Sequence, residues 1–175
     1  MIQYHILTEE QAGKLEEIDR SEHIDLIFEM KDGRVVERHT DQECPSWDAD
    51  LLEEIKARFM DEIRRGGLAV GAFDGETLVG FGVLGHRFRG MNKDQLQVDL
   101  MYVSRNYRRQ GIGSRMMDEL MKEARRRGAK YLYVSSTETR SAVSFYKSRG
   151  SRLAEVVDEE LYAKEPNDIH MVIEL

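Results

Sequence analysis

The spacing of hydrophobic positions changes several times along the chain, and each change marks an element. Ile2 to Leu7 is short and rich in apolar residues, which predicts a first strand. Thr8 followed three residues later by Gln11 is a capping box and predicts a helix through about Asp19. From Ile24 to His39, two extended runs flank Lys31-Asp32-Gly33-Arg34, a hairpin signal. Between Asp48 and Arg65, Leu51, Leu52, Ile55, Phe59 and Ile63 form one stripe of an amphipathic helix, which Gly66-Gly67 stops. Leu68–Phe73 and Thr77–Arg87 read as two strands joined by Asp74-Gly75-Glu76.

Leu96 to Val103 predicts another strand. Beyond it Ile112, Met116, Leu120 and Ala124 recur at helical spacing, with Met117 and Met121 beside them and Gly128 closing the helix. The methionines suit core packing, and Arg125-Arg126-Arg127 complements the helix dipole in its last turn. Tyr131–Ser135 reads as a strand, Arg140–Arg149 as a helix, and Arg152–Val157 and Ile169–Leu175 as strands. Antiparallel hairpins followed by a β-α-β crossover describe an α/β chain with a mixed, mostly antiparallel sheet and helices on both faces. No repeat or linker interrupts the pattern, so residues 1–175 are expected to form a single domain.

Composition narrows the classes of function. At 41% hydrophobic and 34% charged residues the chain has a globular profile. Its net charge of −7 argues against a nucleic-acid partner, which calls for a basic face, and suits a cationic substrate such as an amine. No apolar run is of membrane-spanning length, and Met1-Ile2-Gln3-Tyr4-His5 lacks a signal-peptide layout, so a cytoplasmic location without membrane attachment is expected. Cys44 is the lone cysteine, which fits a spare thiol in a reducing compartment. No spacing of His, Cys or carboxylates suggests a metal site.

The most informative stretch runs from Val98 to Ser114. It reads as a strand, a short polar loop and a glycine turn opening into a helix. Gly111 and Gly113, one residue apart at a helix start, leave main-chain N–H groups uncovered. With the positive end of the helix dipole these donors form an anion site suited to a diphosphate. A dinucleotide fingerprint needs a third glycine where this chain has Met116, and no Gly-Lys-Ser/Thr ending of a P-loop is present. An ordinary strand–helix connection also uses glycines in this way.

Arg108-Arg109-Gln110-Gly111-Ile112-Gly113 resembles the coenzyme A diphosphate turn of the GCN5-related N-acetyltransferase (GNAT) superfamily. Ser141-Ala142-Val143-Ser144-Phe145-Tyr146-Lys147-Ser148-Arg149-Gly150 is similar to the family's second motif, one helix and one strand later. The resemblance implies a GNAT-like acyl-CoA N-acyltransferase fold and direct transfer of acetyl from acetyl-CoA, the cosubstrate, to a primary amine. Cys44 lies outside both motifs, which disfavours a covalent enzyme intermediate. Three features depart from the family pattern: Thr139 stands where Asn is frequent, Ser151 where Phe is usual, and the Ile24–His39 hairpin where simpler members carry helices.

The family pattern also implies site residues. Main-chain groups of Met101, Tyr102 and Val103 would bind the pantetheine arm, with Val103 the oxyanion donor. The turn from Arg109 through Gln110, Gly111, Ile112 and Gly113 to Ser114 would hold the diphosphate, Arg108 and Arg109 adding charge. Thr139 would lie along pantetheine, and Tyr146 would protonate the departing thiolate. Asp99, four residues before Val103, is either the general base or a structural carboxylate paired with an arginine. Glu138, His86 and His170 are weaker candidates for the base. Glu22, Glu29, Asp32 and Glu37, with Ser21, lie where an acceptor cleft is often lined. A small-molecule amine is the expected acceptor. A protein or peptide amine, or a sensor that binds acyl-CoA without turnover, are the alternatives, and a homodimer through the sheets is compatible with the family.

Overall fold

A computed structural model describes residues 1–175. Its strands are β1 (Ile2–Leu7), β2 (Glu22–Lys31), β3 (Arg34–Cys44), β4 (Leu68–Asp74), β5 (Thr77–Arg89), β6 (Gln95–Val103), β7 (Tyr131–Ser136), β8 (Arg152–Leu153) and β9 (Ile169–Glu174). Its α-helices are α1 (Ala49–Arg64), α2 (Ile112–Arg126), α3 (Arg140–Ser148) and α4 (Glu159–Lys164). Seven strands form one sheet in the order β1-β4-β5-β6-β7-β9-β8, and β2 and β3 pair separately. All neighbours in the large sheet run antiparallel except β6 and β7. The β6-α2-β7 crossover produces that parallel pair.

Helices cover both faces. α2, with Ile112, Met116, Met117, Leu120 and Ala124 buried, packs over Val70, Ala72, Leu96, Val98, Leu132 and Val134. On the other face, Ile55 and Phe59 of α1 join Leu7, Leu15, Phe81, Val83 and Leu100. Burying such a side chain contributes about 1.5–3 kcal/mol, so the apolar stripe, more than helix propensity, fixes α1 in place. Asp48 starts α1 by accepting the Leu51 N–H at 2.8 Å.

Four elements differ from the sequence expectation. Glu9–Glu17 is a 3₁₀ helix, although the Thr8–Gln11 capping box forms as expected. Ala12 and Leu15 within it, and Ile18 at its C-terminal cap, are buried at every third position, which matches three residues per turn. The hairpin is longer than read and stands as its own sheet. The strand expected over Arg152–Val157 is two residues long, because the chain leaves the sheet and exposes Val156. α4 is an unanticipated six-residue helix, too short to show a period, capped by Asp158 accepting from Leu161 N–H.

The fifth difference shapes the site. Strict alternation would put Val98, Leu100 and Tyr102 on one face of β6. Pairing instead shifts between Val83↔Leu100 and Leu84↔Val98, leaving Asp99 as an extra residue. That bulge turns Val98 toward α2 while Leu100 and Tyr102 join the α1 face.

Candidate active site

β6 and β7 pair only over Gln95–Gln97 and Tyr131–Tyr133. Beyond Gln97 the two strands part, leaving a gap in the sheet lined by the main chain of β6. Ser104 N–H donates to the Val79 carbonyl at 2.8 Å. By the alternation of an antiparallel ladder, Tyr102 then turns its main chain to β5, and Met101 and Val103 turn theirs to the gap. The Val103 carbonyl accepts from Arg108 Nε at 2.9 Å, which leaves its N–H.

At the end of that strand the chain makes the glycine turn. Gly111 caps α2 in the left-handed region, φ 82°, and no side chain caps the helix. The first main-chain donor of the helix to find an acceptor is Arg115, which bonds the Gly111 carbonyl at 3.0 Å. The N–H groups ahead of it form the exposed donor set expected of an anion site. Gly113 answers a close approach: a Cβ there would stand 3.1 Å from the ring of Phe145 on α3 and 3.8 Å from Val103. A side chain there would require the Phe145 ring to give way by a few tenths of an ångström. Ser114 is half-buried within the first turn, and Ile112 is buried in the core.

The flanking residues divide. Arg109 is exposed with φ 63°, a left-handed residue at the mouth of the turn. Gln110 is exposed and donates to the Asn106 carbonyl at 3.3 Å. Arg108 points elsewhere, its guanidinium held by the carbonyls of Val103 (2.9 Å), Ser21 (2.8 Å) and Asp19 (3.4 Å). Burial lowers its pKa from the ordinary arginine value. It ties the turn to the chain entering β2.

Tyr146 is buried on α3, and removal from water pushes its phenol pKa up, with Tyr102 and Asp168 adding to the rise. Its ring belongs to the core on the α2 face, whereas Tyr102 lies on the α1 face. Tyr102 packs edge-on against Trp47 at 4.9 Å between ring centroids. Thr139 caps α3, accepting the Ala142 N–H at 3.3 Å.

Asp99 is paired with an arginine. It is mostly buried, and Arg58 of α1 bonds both its carboxylate (3.0 Å) and its carbonyl (3.2 Å). Of the other proposed bases, His86 is paired with Glu62 through its ring and main chain. His170 is buried with Nδ1 2.7 Å from the Tyr133 hydroxyl, and Glu138 offers its carbonyl to Phe28 N–H at 2.7 Å. Glu22 accepts from Ser141 at 2.8 Å and Glu29 from Arg38 at 2.6 Å, while Asp32 sits in the hairpin turn and Glu37 is exposed.

Sequence reasoning missed Asp168. This residue precedes β9, its Oδ2 accepting from Ser135 Oγ of β7 at 2.7 Å. Burial, reinforced by Glu165 and Glu138 and opposed by the Ser135 bond and Arg58, pushes its pKa up to about 7. Nothing in the local sequence Pro166-Asn167-Asp168 marks it, since it is the pairing of Ser136 with Ile169 that brings it beside the end of β7.

Finally, the β2–β3 hairpin spans the open strand ends. Arg108 joins its entry to the end of β6, and the Phe28 N–H bond to Glu138 joins it to the loop after β7. Leu26 and Phe28 pack into the core beside Tyr146.

Solved structures share this architecture. A nourseothricin acetyltransferase matches with a TM-score of 0.74 and 22% identity, covering 99% of this chain and 98% of that one. A PaiA N-acetyltransferase from Thermoplasma acidophilum, in complex with coenzyme A, matches with a TM-score of 0.65 and 19% identity over 100% and 99%. The ribosomal-protein-S18-alanine N-acetyltransferase from Escherichia coli gives 0.62 and 15% over 99% and 94%. Among curated proteins no sequence matches. At these identities the likeness concerns the fold. The family model described as "Acetyltransferase (GNAT) family" matches residues 32–150, more than half of the sequence, and the chain belongs to that family.

Proposed function

We propose that this acetyltransferase uses acetyl-CoA to acetylate a primary amine of a small cationic molecule directly, within a single domain. The similar nourseothricin acetyltransferase, and the PaiA N-acetyltransferase in complex with coenzyme A, are consistent with that choice of acceptor class and donor. The uncapped start of α2, the left-handed Gly111 and the close-packed Gly113 fit a diphosphate held by main-chain N–H groups from Arg109 to Ser114. In this reading the exposed Arg109 adds charge and Arg108 holds the turn in shape. Met101 and Val103 direct the coenzyme arm along the gap. The Val103 N–H meets the thioester oxygen, where a fixed dipole stabilises charge that develops during transfer. Tyr146, a weak acid held protonated by burial, returns a proton to the leaving thiolate. Thr139, at the cap of α3, borders the same arm.

The observation that carries the small-molecule reading is the hairpin. It bridges the strand ends on both sides of the gap, and so limits the acceptor side to a compact ligand. The neighbouring carboxylates Asp168, Glu138 and Glu165 favour a cation there.

Calorimetry with acetyl-CoA, followed by thiol release with spermidine, kanamycin, nourseothricin and a lysine-containing peptide, tests this reading. Binding and release with the small amines are expected, with little release from the peptide. Absence of binding defeats the enzyme reading. Faster release with the peptide supports a protein acceptor, and binding without release from any amine supports a sensor.

A further inference from the structure

Direct transfer needs a neutral amine, and an alkylamine arrives as an ammonium ion near neutral pH. Some group beside the thioester must take that proton. The sequence position nominated for this task, Asp99, holds Arg58 through two oxygens, so the cation already sits where an ammonium would have to go. Asp168 is placed differently. The β7–β9 ladder ends at Ser136↔Ile169, and Asp168 extends from it on the β9 flank of β7, at the same end where β7 has parted from β6. One carboxylate oxygen is fixed by Ser135 Oγ at 2.7 Å, and the structure gives the other oxygen no hydrogen-bond donor.

We propose that Asp168 is the proton acceptor for the ammonium group of the substrate, and that Asp99 with Arg58 is the fixed wall beside it. This assignment rests on the acetyltransferase reading above and names the residue that serves it. The step balances as follows. The ammonium gives one proton to Asp168 and becomes a neutral amine. Its lone pair forms the C–N bond to the acetyl carbon, and the C–S electron pair leaves on sulfur. Tyr146 protonates that sulfur and is itself reprotonated by the second nitrogen proton. Asp168 releases its proton to water between turnovers.

The groups facing Asp168 come from every element around the gap. Arg58 of α1 favours its charged form, as does the Ser135 bond from β7. Glu138 after β7 and Glu165 after α4 oppose that form, and Tyr146 of α3 and Tyr102 of β6 face it as neutral phenols. The net result is a carboxyl that titrates at about 7, where a general base exchanges protons with an amine and with water most effectively.

The test compares wild type and Asp168→Asn over pH 6 to 9, with acetyl-CoA and spermidine, kanamycin or nourseothricin as acceptor probes. Asn keeps the shape and the Ser135 contact. The expected result is a loss in kcat/KM of about 10²-fold or more at pH 7. That loss should shrink as pH rises and the free amine becomes abundant, with the acidic limb of the profile gone. Acetyl-CoA affinity stays unchanged, and above pH 7, where the variant no longer carries a buried charge, the melting temperature does not fall. An acidic limb that persists in the variant at wild-type rate overturns the assignment and leaves the acetyltransferase reading intact. Failure of wild type to bind acetyl-CoA defeats both. Independently of any acceptor, carboxyl ¹³C NMR of the wild-type protein should show one aspartate titrating near 7 that is missing from Asp168→Asn. An Asp168 midpoint in the ordinary carboxylate range overturns the proposal.

Discussion

The proposed roles of individual residues at the gap can be tested one at a time. Tyr146→Phe removes a hydroxyl and keeps a buried ring, so the core around α3 should hold. If the phenol supplies the leaving-group proton, kcat falls on the order of 10²-fold while acetyl-CoA affinity measured by calorimetry stays the same. An unchanged kcat removes Tyr146 from the chemistry. Arg58→Met leaves Asp99 buried without its cation, and half of the Arg58 side chain is in water. The cost should therefore be at the low end for an orphaned charge, about 1 kcal/mol. For a chain of this size that corresponds to a fall of about 2–4 °C in Tm. The same substitution removes a cation that favours charged Asp168, so the acidic limb of the activity profile should move to higher pH. A limb that moves downward contradicts the arrangement of charges around the gap.

At the level of elements, sequence patterns were readable wherever one face of an element met one core. The capping box at Thr8, the stripe of α1 and the glycine turn before α2 all formed where the pattern put them. The bulge at Asp99 left no such mark, because the residue that breaks alternation is chosen by the partner strand and by Arg58. α4 was likewise illegible, being held by tertiary contacts of Leu161 with Tyr133 and Val172. The Tyr133 hydroxyl joins β7 to its neighbours, accepting from the Asp158 N–H at 2.9 Å and lying 2.7 Å from His170 Nδ1. Burial lowers the His170 pKa below its ordinary 6.5, and its Nε2 is buried without a partner. As pH falls through 6.5 the unfolded chain binds the proton first, so the stability contributed by neutral His170 is present above that pH and is lost below it. Asp168 works in the opposite sense: with its pKa raised, its contribution grows as pH falls below about 7. Thermal melts of wild type and His170→Gln between pH 7.5 and 5.5 separate the two. The wild type should lose more Tm on acidification than the variant, and equal losses would show that His170 is not titrating.

Across the whole molecule, the two sheets differ in what supports them. The seven-stranded sheet is covered on both faces, whereas β2 and β3 form a two-stranded sheet, tied to the rest by one bridge between Ile27 and Thr139, and expose much of their surface. An isolated pair of strands is marginal in water. The hairpin therefore depends on Leu26, Phe28 and the Phe28–Glu138 bond for its place. Native-state hydrogen exchange should show β2 and β3 amides opening at lower free energy than those of β5 and β6. Equal protection would mean that the hairpin unfolds only with the sheet.

The chain alone determined its class, its family motifs and the turn that opens α2. Those depend on local spacing, on which residues tolerate φ near 82° at Gly111, and on apolar positions repeating at helical or strand period. Tertiary structure decided what lies around the gap. Asp99 met Arg58 across 41 positions of sequence, Arg108 reached Ser21 across 87, and Asp168 found Ser135 across 33. Whether a carboxylate is a free base or half of an ion pair depends on which charge stands opposite it, and strand pairing and helix packing set that neighbour.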